Sequence, residues 1–493
     1  MHKLAIIFLL FFISTSAVQA QLTEFRAGDK LSASEMNKNF QYLEEQFRGA
    51  RKTTVNCGTS GNGSGINEAI ENGYTDITIT GICKENIRAT VWRESTADNN
   101  QPSGKLAPRY LKITGANSSA KIVDATSNTE TLIFVTSGAT LSLKNLTLSG
   151  GQQGVVAARN SNLYLSNVRV ENFTDNGIAV ADSSWLGVDE GGVVVEGNDT
   201  GIGVYLITGA SGWMYKSNIS NVERGIVVYG GSFLYIRDTD ISDTKIGIRV
   251  AASKLIKYEG TAEINNASEY GIRVTANSLF NNSSGKLTIK NIESSKPLSF
   301  DVSDSYLNDV TITGDSVFSN SRSYITNSTF NGSIELRSGT NVLMYTSNLV
   351  SLEKVGMRIY DNSGLRIEDS IISTTIDSIY INPKGSLRGR NVEISSNSGL
   401  AVYLDQNSNI WLTDSVLRSN GKSALVLGGN SSSELSNTTV SRVDEGFEIY
   451  LSTLSFLRVS GTTSIDEIGC TNSAVVEISG EAKVTNLGSE CSD

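Results

Sequence analysis

The stretch Gly177-Ile178-Ala179-Val180 recurs along this chain, and its recurrence decides the fold. In each copy a glycine is followed by an apolar residue, a variable residue and a second apolar residue. The copies begin at positions 177, 201, 225, 247 and 271, and the pattern returns at Gly356, Gly399 and Gly446. A nearly constant period of this kind indicates a repeat architecture in which each unit packs on the next.

Each repeat also contains two further short runs of alternating apolar residues, such as Leu163-Tyr164-Leu165 and Val168-Arg169-Val170. Alternation places every second side chain on the same face of a strand, and Asn, Asp, Ser and Gly at the joints suit tight turns. Three strands per repeat without helix-period segments predict an all-β, right-handed parallel β-helix, which is a solenoid. Residues 55–485 would form roughly 18 coils. The periodicity is weakest at residues 295–345.

A short helical pattern precedes the first coil. Ile66, Ala69 and Ile70 fit an amphipathic helix that ends at Gly73. An open end of a β-helix exposes unpaired backbone groups. We therefore expect this helix to lie over the first coil as a cap.

A second helical stripe lies further upstream, after a capping box at residues 32–35. Its apolar members are Met36, Phe40, Leu43 and Phe47. Two heptads are short for a coiled coil, so this helix either docks on its own domain or assembles a homo-oligomer through residues 31–47. We assign residues 21–54 to this N-terminal helical segment and residues 55–493 to the β-helix with its helix cap.

Residues 1–20 have the features of a secretory signal peptide. His2 and Lys3 form a basic start, an apolar run ends at Ile13, and Ala20 lies where a signal peptidase cleaves. The apolar run is too short to span a bilayer, and no later segment approaches that length. The sequence therefore predicts export to a secreted, periplasmic or cell-surface location, without a membrane span.

The composition excludes several kinds of function. His2 is the only histidine, so the chain would lose its only imidazole when the signal peptide is removed. Serine or cysteine triads with a histidine base, and histidine-ligated metals, are then excluded. The formal net charge of −10 argues against nucleic acid as a partner, because nucleic acids bind basic surfaces. We expect no metal and no cofactor.

The four cysteines lie in two separate pairs, Cys57 with Cys83 and Cys470 with Cys491. The separation within each pair is close to the repeat length, and export favours disulfides. Two local disulfides, each joining a terminal coil to its neighbour, are therefore favoured over the other pairings that sequence allows. Free thiols are the alternative, and a metal site lacks the close cysteine spacing that zinc prefers.

The opening of the repeat region carries a resemblance to a known family. The stretch begins with Val55-Asn56-Cys57, continues through the short helix, and ends with Ile77-Thr78-Ile79-Thr80-Gly81-Ile82-Cys83-Lys84-Glu85-Asn86-Ile87. It resembles the pectate-lyase-like superfamily of right-handed parallel β-helices, as exported bacterial proteins show it. The resemblance implies a fold, and it points to acidic polysaccharides because the superfamily contains lyases, hydrolases and esterases that act on them. The segment from Phe25 to Phe40 is also similar to N-terminal segments of secreted bacterial and tail-fibre-like proteins, some of which form trimers.

The catalytic patterns of that superfamily are not assembled in this sequence. The chain has no Asp-Asp pair, no Gly-His-Gly and no Arg-x-Lys, and a paired glutamine occurs only at Gln152-Gln153. A lyase would need calcium held by carboxylates beside an Arg or Lys base. The candidates are Asp238 and Asp240, which would share a strand face, together with Arg249 and Arg273 one coil apart. The alternative is an ordinary solvated turn.

A second pattern is more regular. Counting four residues from each repeat glycine reaches Tyr205, Tyr229, Tyr360, Tyr403 and Tyr450, and counting two residues reaches Arg249, Arg273 and Arg358. All are predicted to point outward, so stacked coils would place aromatic and basic groups side by side. We take Tyr205, Tyr229, Arg249 and Arg273 as candidate ligand-binding residues. Plain stacking of like side chains is the alternative.

The leading hypothesis is an exported, non-catalytic β-helix protein that presents a surface for glycan or cell-surface binding, as a fibre or adhesin-like element. The competing hypothesis is a polysaccharide lyase, or another carbohydrate-active enzyme, acting on an acidic polysaccharide with calcium as cofactor.

Overall fold

A computed structural model describes residues 51–59, 63–90, 109–292, 296–444, 446–471 and 473–492. The predicted signal peptide and the predicted helix that contains Met36 and Phe40 lie outside these residues. The strand that opens the β-helix begins at Lys52, which is inside the predicted segment 21–54.

The described residues form one helix, α1 (Ile66–Glu71), and strands β1 to β45 in chain order. Strands β1 to β15 are Lys52–Asn56, Asp76–Thr80, Ile82–Lys84, Ile87–Thr90, Tyr110–Gly115, Lys121–Val123, Ile133–Thr136, Thr140–Ser149, Gln153–Ala157, Asn162–Glu171, Asn176–Val180, Trp185–Val188, Val193–Glu196, Ile202–Leu206 and Ser211–Tyr215. Strands β16 to β30 are Asn218–Tyr229, Phe233–Arg237, Asp240–Ala251, Lys254–Lys257, Thr261–Asn282, Lys286–Lys290, Leu298–Asn308, Val310–Thr313, Ser316–Ser319, Arg322–Thr326, Thr329–Asn331, Ile334–Arg337, Asn341–Tyr345, Asn348–Ser351 and Met357–Ile359. Strands β31 to β45 are Gly364–Thr374, Ile379–Ile381, Ser386–Ser396, Val402–Leu404, Asn409–Thr413, Val416–Ser419, Leu425–Leu427, Ser432–Ser436, Thr439–Arg442, Ile449–Leu451, Phe456–Ser460, Ser464–Cys470, Ala474–Ile478, Lys483–Leu487 and Cys491–Ser492.

Every coil contributes one segment to each of three stacks, which we name sheets A, B and C. In one coil these are residues 162–166 in sheet A, residues 168–171 in sheet B and β11 in sheet C. All strand pairs of the described residues are parallel, and each strand between the two ends pairs with strands one coil before and one coil after it. The chain therefore forms a right-handed parallel β-helix of about 18 turns, as the sequence predicted.

The turn between sheets A and B is made by a residue with positive φ, and this residue is often Asn or Asp. Asn tolerates the left-handed conformation, and its amide can bond the equivalent residue of the next coil. The Nδ2 group of Asn167 donates to Asn145 Oδ1 at 3.0 Å, and that of Asn391 donates to Asp369 Oδ1 at 2.6 Å. These contacts hold successive coils in register.

The core consists of the inward side chains of all three sheets. In sheet C, Ile178, Val204, Ile226, Ile248 and Ile272 are stacked in this order, and each is at most 1% exposed. Full burial of such a side chain contributes about 1.5–3 kcal/mol before the entropy cost of folding. The regular inward stacking is the physical origin of the period seen in the sequence.

The repeated glycine is required by close packing between coils. A Cβ atom on Gly225 would lie 2.5 Å from the carbonyl oxygen of Gly247 and 2.5 Å from Cγ2 of Ile241. The register also corrects one copy of the repeat: Ile178 pairs with Val204, so Gly203, and not Gly201, is the equivalent of Gly177. The sequence has two glycines at this point, Gly201 just before β14 and Gly203 within it, and spacing alone selected the wrong one.

Helix α1 covers the first coils with buried Ile66, Ala69 and Ile70. Its N-terminus is capped by a distant residue. Glu85 Oε1 accepts the backbone N–H groups of Gly65 at 2.9 Å and Ile66 at 2.7 Å, and Oε2 accepts that of Asn67 at 3.0 Å. A carboxylate is well suited to this position, because the helix N-terminus offers unpaired donors.

The two predicted disulfides are confirmed. Cys57 is bonded to Cys83, and Cys470 is bonded to Cys491. Each bridge joins neighbouring coils near one end of the described β-helix.

The region of weak periodicity, 295–345, contains shorter coils than the region before it. Asp304 pairs with Arg322, and Arg322 pairs with Asn341, so each of these coils lacks several residues of the usual repeat. Phe300 and Phe318 stack inside it with ring centroids 5.3 Å apart. The inward stack continues, but a change in coil length conceals it in the sequence.

One inward position holds a lysine. Lys257 lies between Ile236 and Asn282 in the inward stack of sheet A and is 0% exposed. Its ammonium donates to the carbonyl oxygens of Gly260 at 2.7 Å and Ser284 at 2.9 Å. Burial lowers the pKa of Lys257 to about 8. Because it donates to both carbonyl oxygens, the Lys257 ammonium links the backbone of two successive turns.

Candidate functional site

A single outward row runs along sheet C. Register places these residues one above another in chain order: Ala179, Tyr205, Val227, Arg249, Arg273, Ser299, Val317, Glu335, Arg358, Tyr380, Tyr403, Val426 and Tyr450. The row combines aromatic and basic side chains in two groups.

The first group contains the four residues that the sequence singled out for binding. Arg249 and Arg273 are direct neighbours on successive coils, and Tyr205 lies two coils before Arg249. Tyr229 belongs to a different row, which contains Ala251, and is 47% exposed. The predicted single ladder of tyrosines is therefore two adjacent rows, because Tyr205 follows Gly203 by two residues whereas Tyr229 follows Gly225 by four.

Arg224 joins this group, although no repeat pattern in the sequence indicated it. Burial lowers the pKa of the Arg249 guanidinium, and the neighbouring cations Arg224 and Arg273 lower it further. Burial raises the pKa of the Tyr205 hydroxyl, and Tyr229 adds to this effect. Arg224, Arg273, Tyr205 and Tyr229 all act electrostatically on Arg249. We name Tyr205, Arg224, Tyr229, Arg249 and Arg273 the sheet C cluster.

Two carboxylates act on members of the cluster: Asp175 raises the pKa of Tyr205, and Glu223 contacts Arg224. Arg224 forms an ion pair with Glu223 at 3.2 Å, and Arg273 stacks on the ring of Tyr270 at 5.1 Å. Among the described residues, no carboxylate forms an ion pair with Arg249 or Arg273. The Nε atom of Arg249 is buried and has no hydrogen-bond partner in the described part of the chain. A buried donor without an acceptor costs free energy, and the same holds for the Nε atoms of Arg237 and Arg442. What distinguishes Arg249 is that its half-buried side chain lies beside a second arginine, Arg273, in register on the next coil.

The second group lies four coils beyond Arg273, at about 4.8 Å per coil. Arg358 pairs in register with Tyr380, whose ring stacks on Tyr403 with centroids 4.6 Å apart. Burial and the neighbouring Tyr403 raise the pKa of Tyr380 to about 12. Tyr450 lies further along the same row. Tyr360 directly follows the inward residue Ile359 and does not belong to this row. The second group is mainly a tyrosine stack.

The acidic candidates lie elsewhere. Asp238 is in a left-handed turn between β17 and β18, with φ 48°, and not in a strand as predicted. Its Oδ1 accepts the backbone N–H of Thr261 at 2.8 Å, and Asp240 Oδ1 accepts that of Glu263 at 3.0 Å. Both carboxylates therefore bind the next coil, on the opposite side of the bend at Asp243 from Arg249.

Only one set of three metal-type ligands occurs among the described residues, Cys57, Cys83 and Glu85. Both sulfurs are in a disulfide, and the carboxylate caps α1. These groups are engaged in structure, so they do not fit a metal.

The sequence reasoning missed a row of aromatic residues on sheet A. In register it contains Tyr164, Gly187, Trp213, Tyr235, Ile256, Asn281, Tyr306, Tyr324, Leu343, Arg366, Arg388, Trp411 and Glu434. Trp213 packs edge-on against Tyr215, and Tyr306 stacks on Tyr324 at 5.0 Å. The available signal was the aromatic-x-aromatic pattern of β15 and β17.

Residues 131–295 and 371–487, more than half of the chain, match a protein family described as the right-handed β-helix region. The structure is also similar to that of a mutant of AlyGC, an alginate lyase of family PL6, with 10% sequence identity over 87% of this chain and 89% of that chain. The TM-score is 0.23, so this likeness carries no argument about function. Comparison with curated proteins gave no match. No helix of the described residues is long and apolar enough to cross a membrane.

Proposed function

Because the chain belongs to the right-handed β-helix family, we propose that it is an exported, non-catalytic protein that binds an acidic glycan through the sheet C cluster. One observation carries the proposal. Arg249 and Arg273 pair in register on successive coils, and neither forms an ion pair with a described residue.

The chemistry of the cluster suits an acidic sugar. A uronate carboxylate or a sulfate group would accept charge-assisted hydrogen bonds from Arg249 and Arg273. Tyr229 is exposed and offers an aromatic surface and a hydroxyl beside them. A polyanion with dense phosphates is a poorer partner, because the formal charge of the chain is −10.

A non-catalytic role is favoured by how the carboxylates are used. Asp238 and Asp240 accept backbone N–H groups of the next coil and lie apart from the arginines. The carboxylate of Glu223, which does reach the cluster, is paired with Arg224. A lyase would need a calcium-binding carboxylate set beside the arginines, so binding alone is the better proposal.

The binding proposal can be tested by titrating the full chain with a uronate hexasaccharide, a sulfated hexasaccharide and a neutral hexasaccharide. We expect the acidic ligands alone to bind, and the double variant Arg249→Ala with Arg273→Ala to bind at least about tenfold more weakly. Arg322→Ala is the matched control, because Arg322 is an exposed arginine of sheet A that is paired with Asp304. Equal affinity of the double variant and the control would overturn the proposal.

Catalysis is tested in the same samples. The acidic polysaccharide is incubated with the protein, with and without calcium, while ultraviolet absorbance is followed. A lyase releases an unsaturated product that absorbs. We expect no increase, and a calcium-dependent increase would establish the enzyme instead.

The remaining parts of the proposal concern export and assembly. Two disulfides are typical of exported chains, which supports a secreted, periplasmic or cell-surface location. We propose homo-oligomerisation through residues 31–47. Sedimentation of the mature chain with and without residues 21–50 is the test, and an unchanged mass would contradict it.

A further inference from the structure

We propose a second binding site for an acidic sugar, in a groove on sheet A that crosses β31, β33, β35 and β38. The groove has a volume of about 530 Å³, which is within the range of sites for small molecules. It lies on a different sheet from the sheet C cluster, and its argument does not rest on that cluster.

Two outward rows form the walls of this groove. Arg366, Arg388, Trp411 and Glu434 follow one another in register on one side. Glu368, Arg390 and Thr413 do so on the other side. The backbone of the inward residues between them, including Gly389, forms the floor. Thr413 is the shortest side chain of its row, so the groove is open at this point.

Several of the charged side chains are already partnered within the chain. Arg366 Nη2 forms an ion pair with Glu368 Oε1 at 2.6 Å, and this contact raises the pKa of Arg366. Asp414 Oδ1 accepts the Nδ2 group of Asn437 at 3.1 Å. These side chains shape the groove and contribute little free hydrogen-bonding capacity.

Arg388 and Arg390 differ from these partnered side chains in their exposure and in their ion pairing. They are exposed, lie two residues apart on the same face of β33, and form no ion pair with the described residues. The guanidinium carbon of Arg388 lies 5.5 Å from the centre of the Trp411 ring. Stacking on an aromatic ring restricts an arginine and leaves the edge of its guanidinium group free to donate.

The ligand class follows from these groups. Two unpaired guanidinium groups on one strand face suit a single carboxylate or sulfate, whereas Glu434 and Glu368 would repel a densely charged polyphosphate. The indole N–H of Trp411 and the hydroxyl of Thr413 can bond sugar hydroxyl groups. A sugar unit with one acidic group therefore fits the groove better than a nucleotide does.

Tryptophan fluorescence reports on this groove locally. The full chain is titrated with a uronate hexasaccharide, a sulfated hexasaccharide and a neutral hexasaccharide. The Trp411→Phe variant identifies the part of the signal that belongs to Trp411. We expect a saturable change with the acidic ligands only, weakened at least about tenfold in the double variant Arg388→Ala with Arg390→Ala and unaltered in Arg322→Ala.

The controls separate this site from the sheet C cluster. In the double variant Arg249→Ala with Arg273→Ala, the Trp411 signal should keep its midpoint whatever happens at sheet C. Thermal unfolding of each variant shows that it is folded, since both altered side chains of β33 are exposed. Equal response to the neutral ligand, or an unchanged midpoint in the Arg388 and Arg390 variant, would overturn the proposal.

Discussion

Lys257 and Arg249 are cations of neighbouring coils, and their side chains lie on opposite faces of the coil wall. Lys257 points inward, is fully buried, and donates to two backbone carbonyl oxygens. Arg249 points outward, is half-buried, and has a buried Nε without a partner among the described residues. Both have a pKa lowered mainly by burial.

The difference teaches how to separate a structural charge from a binding charge in a repeat protein. The buried cation Lys257 has its donors satisfied by acceptors of its own chain, so it belongs to the structure of the fold. An outward cation without an ion-pair partner among the described residues, such as Arg249, is a candidate for binding a ligand. Substitutions at the two positions should therefore change different properties.

The largest effect is expected from Lys257→Ala. This change leaves a cavity in the core and two carbonyl oxygens without their donor, so it should lower the free energy of unfolding by about 3 kcal/mol. Thermal or urea unfolding measures the loss, and glycan affinity should be unchanged below the transition. A stable variant with weakened binding would break the comparison.

The second prediction concerns pH. Lys257 has a pKa of about 8 in the fold, whereas an unfolded lysine titrates near about 10.4. Between these two pH values the unfolded chain binds more protons than the folded chain, so the free energy of unfolding rises with pH. Asp238 and Asp309 act to raise the pKa of Lys257, but burial outweighs them. The Tm of the wild type, relative to that of Lys257→Met, should rise from about pH 8 to about pH 10. A constant difference would show that the ammonium is not held as described.

The third prediction concerns Arg249 alone. Arg249→Ala should weaken binding of a uronate oligosaccharide about tenfold, which is about 1.4 kcal/mol. It should change the free energy of unfolding by less than about 0.5 kcal/mol. Calorimetric titration and urea unfolding of the same sample give both values. A stability loss as large as that of Lys257→Ala would mean that Arg249 is structural too.

The smallest effect is expected at Asp240. Burial raises the pKa of Asp240, and repulsion from Glu263 and Asp238 raises it further. The folded chain therefore favours the protonated carboxyl group. The stability gained from that protonation is lost as pH rises. Asp240→Asn should therefore raise the free energy of unfolding at neutral pH, by less than about 0.5 kcal/mol, and this gain should vanish below the carboxyl pKa. Urea unfolding at both pH values measures it, and binding should not change. Weakened binding would return Asp240 to the functional site.

The fold was predictable because inward alternation repeats in nearly every coil, and Ile178 and Ile226 show it plainly. The register was harder to predict, since Gly201 precedes β14 and Gly203 lies within it, and only the pairing of Ile178 with Val204 distinguishes them. The coils at 304–341 were not recognised in the sequence because they are shorter than the repeat that the glycines define.

The site was predictable only in part. Arg249 and Arg273 were found because they occupy the same position after the repeat glycine, and the structure places them on adjacent coils. Arg224 precedes its glycine, so no repeat position indicated it. The groove at Arg388 and Trp411 depends on which outward residues stack, and that register is fixed by turn lengths that the sequence does not reveal.

The central claim is that Arg249 binds an anionic group of a ligand. A crystal structure of the protein with a uronate hexasaccharide tests it most directly. We predict a sugar carboxylate within hydrogen-bonding distance, about 3 Å, of the Arg249 guanidinium, with Arg273 beside it. A bound oligosaccharide that makes no contact with the Arg249 guanidinium would contradict the account.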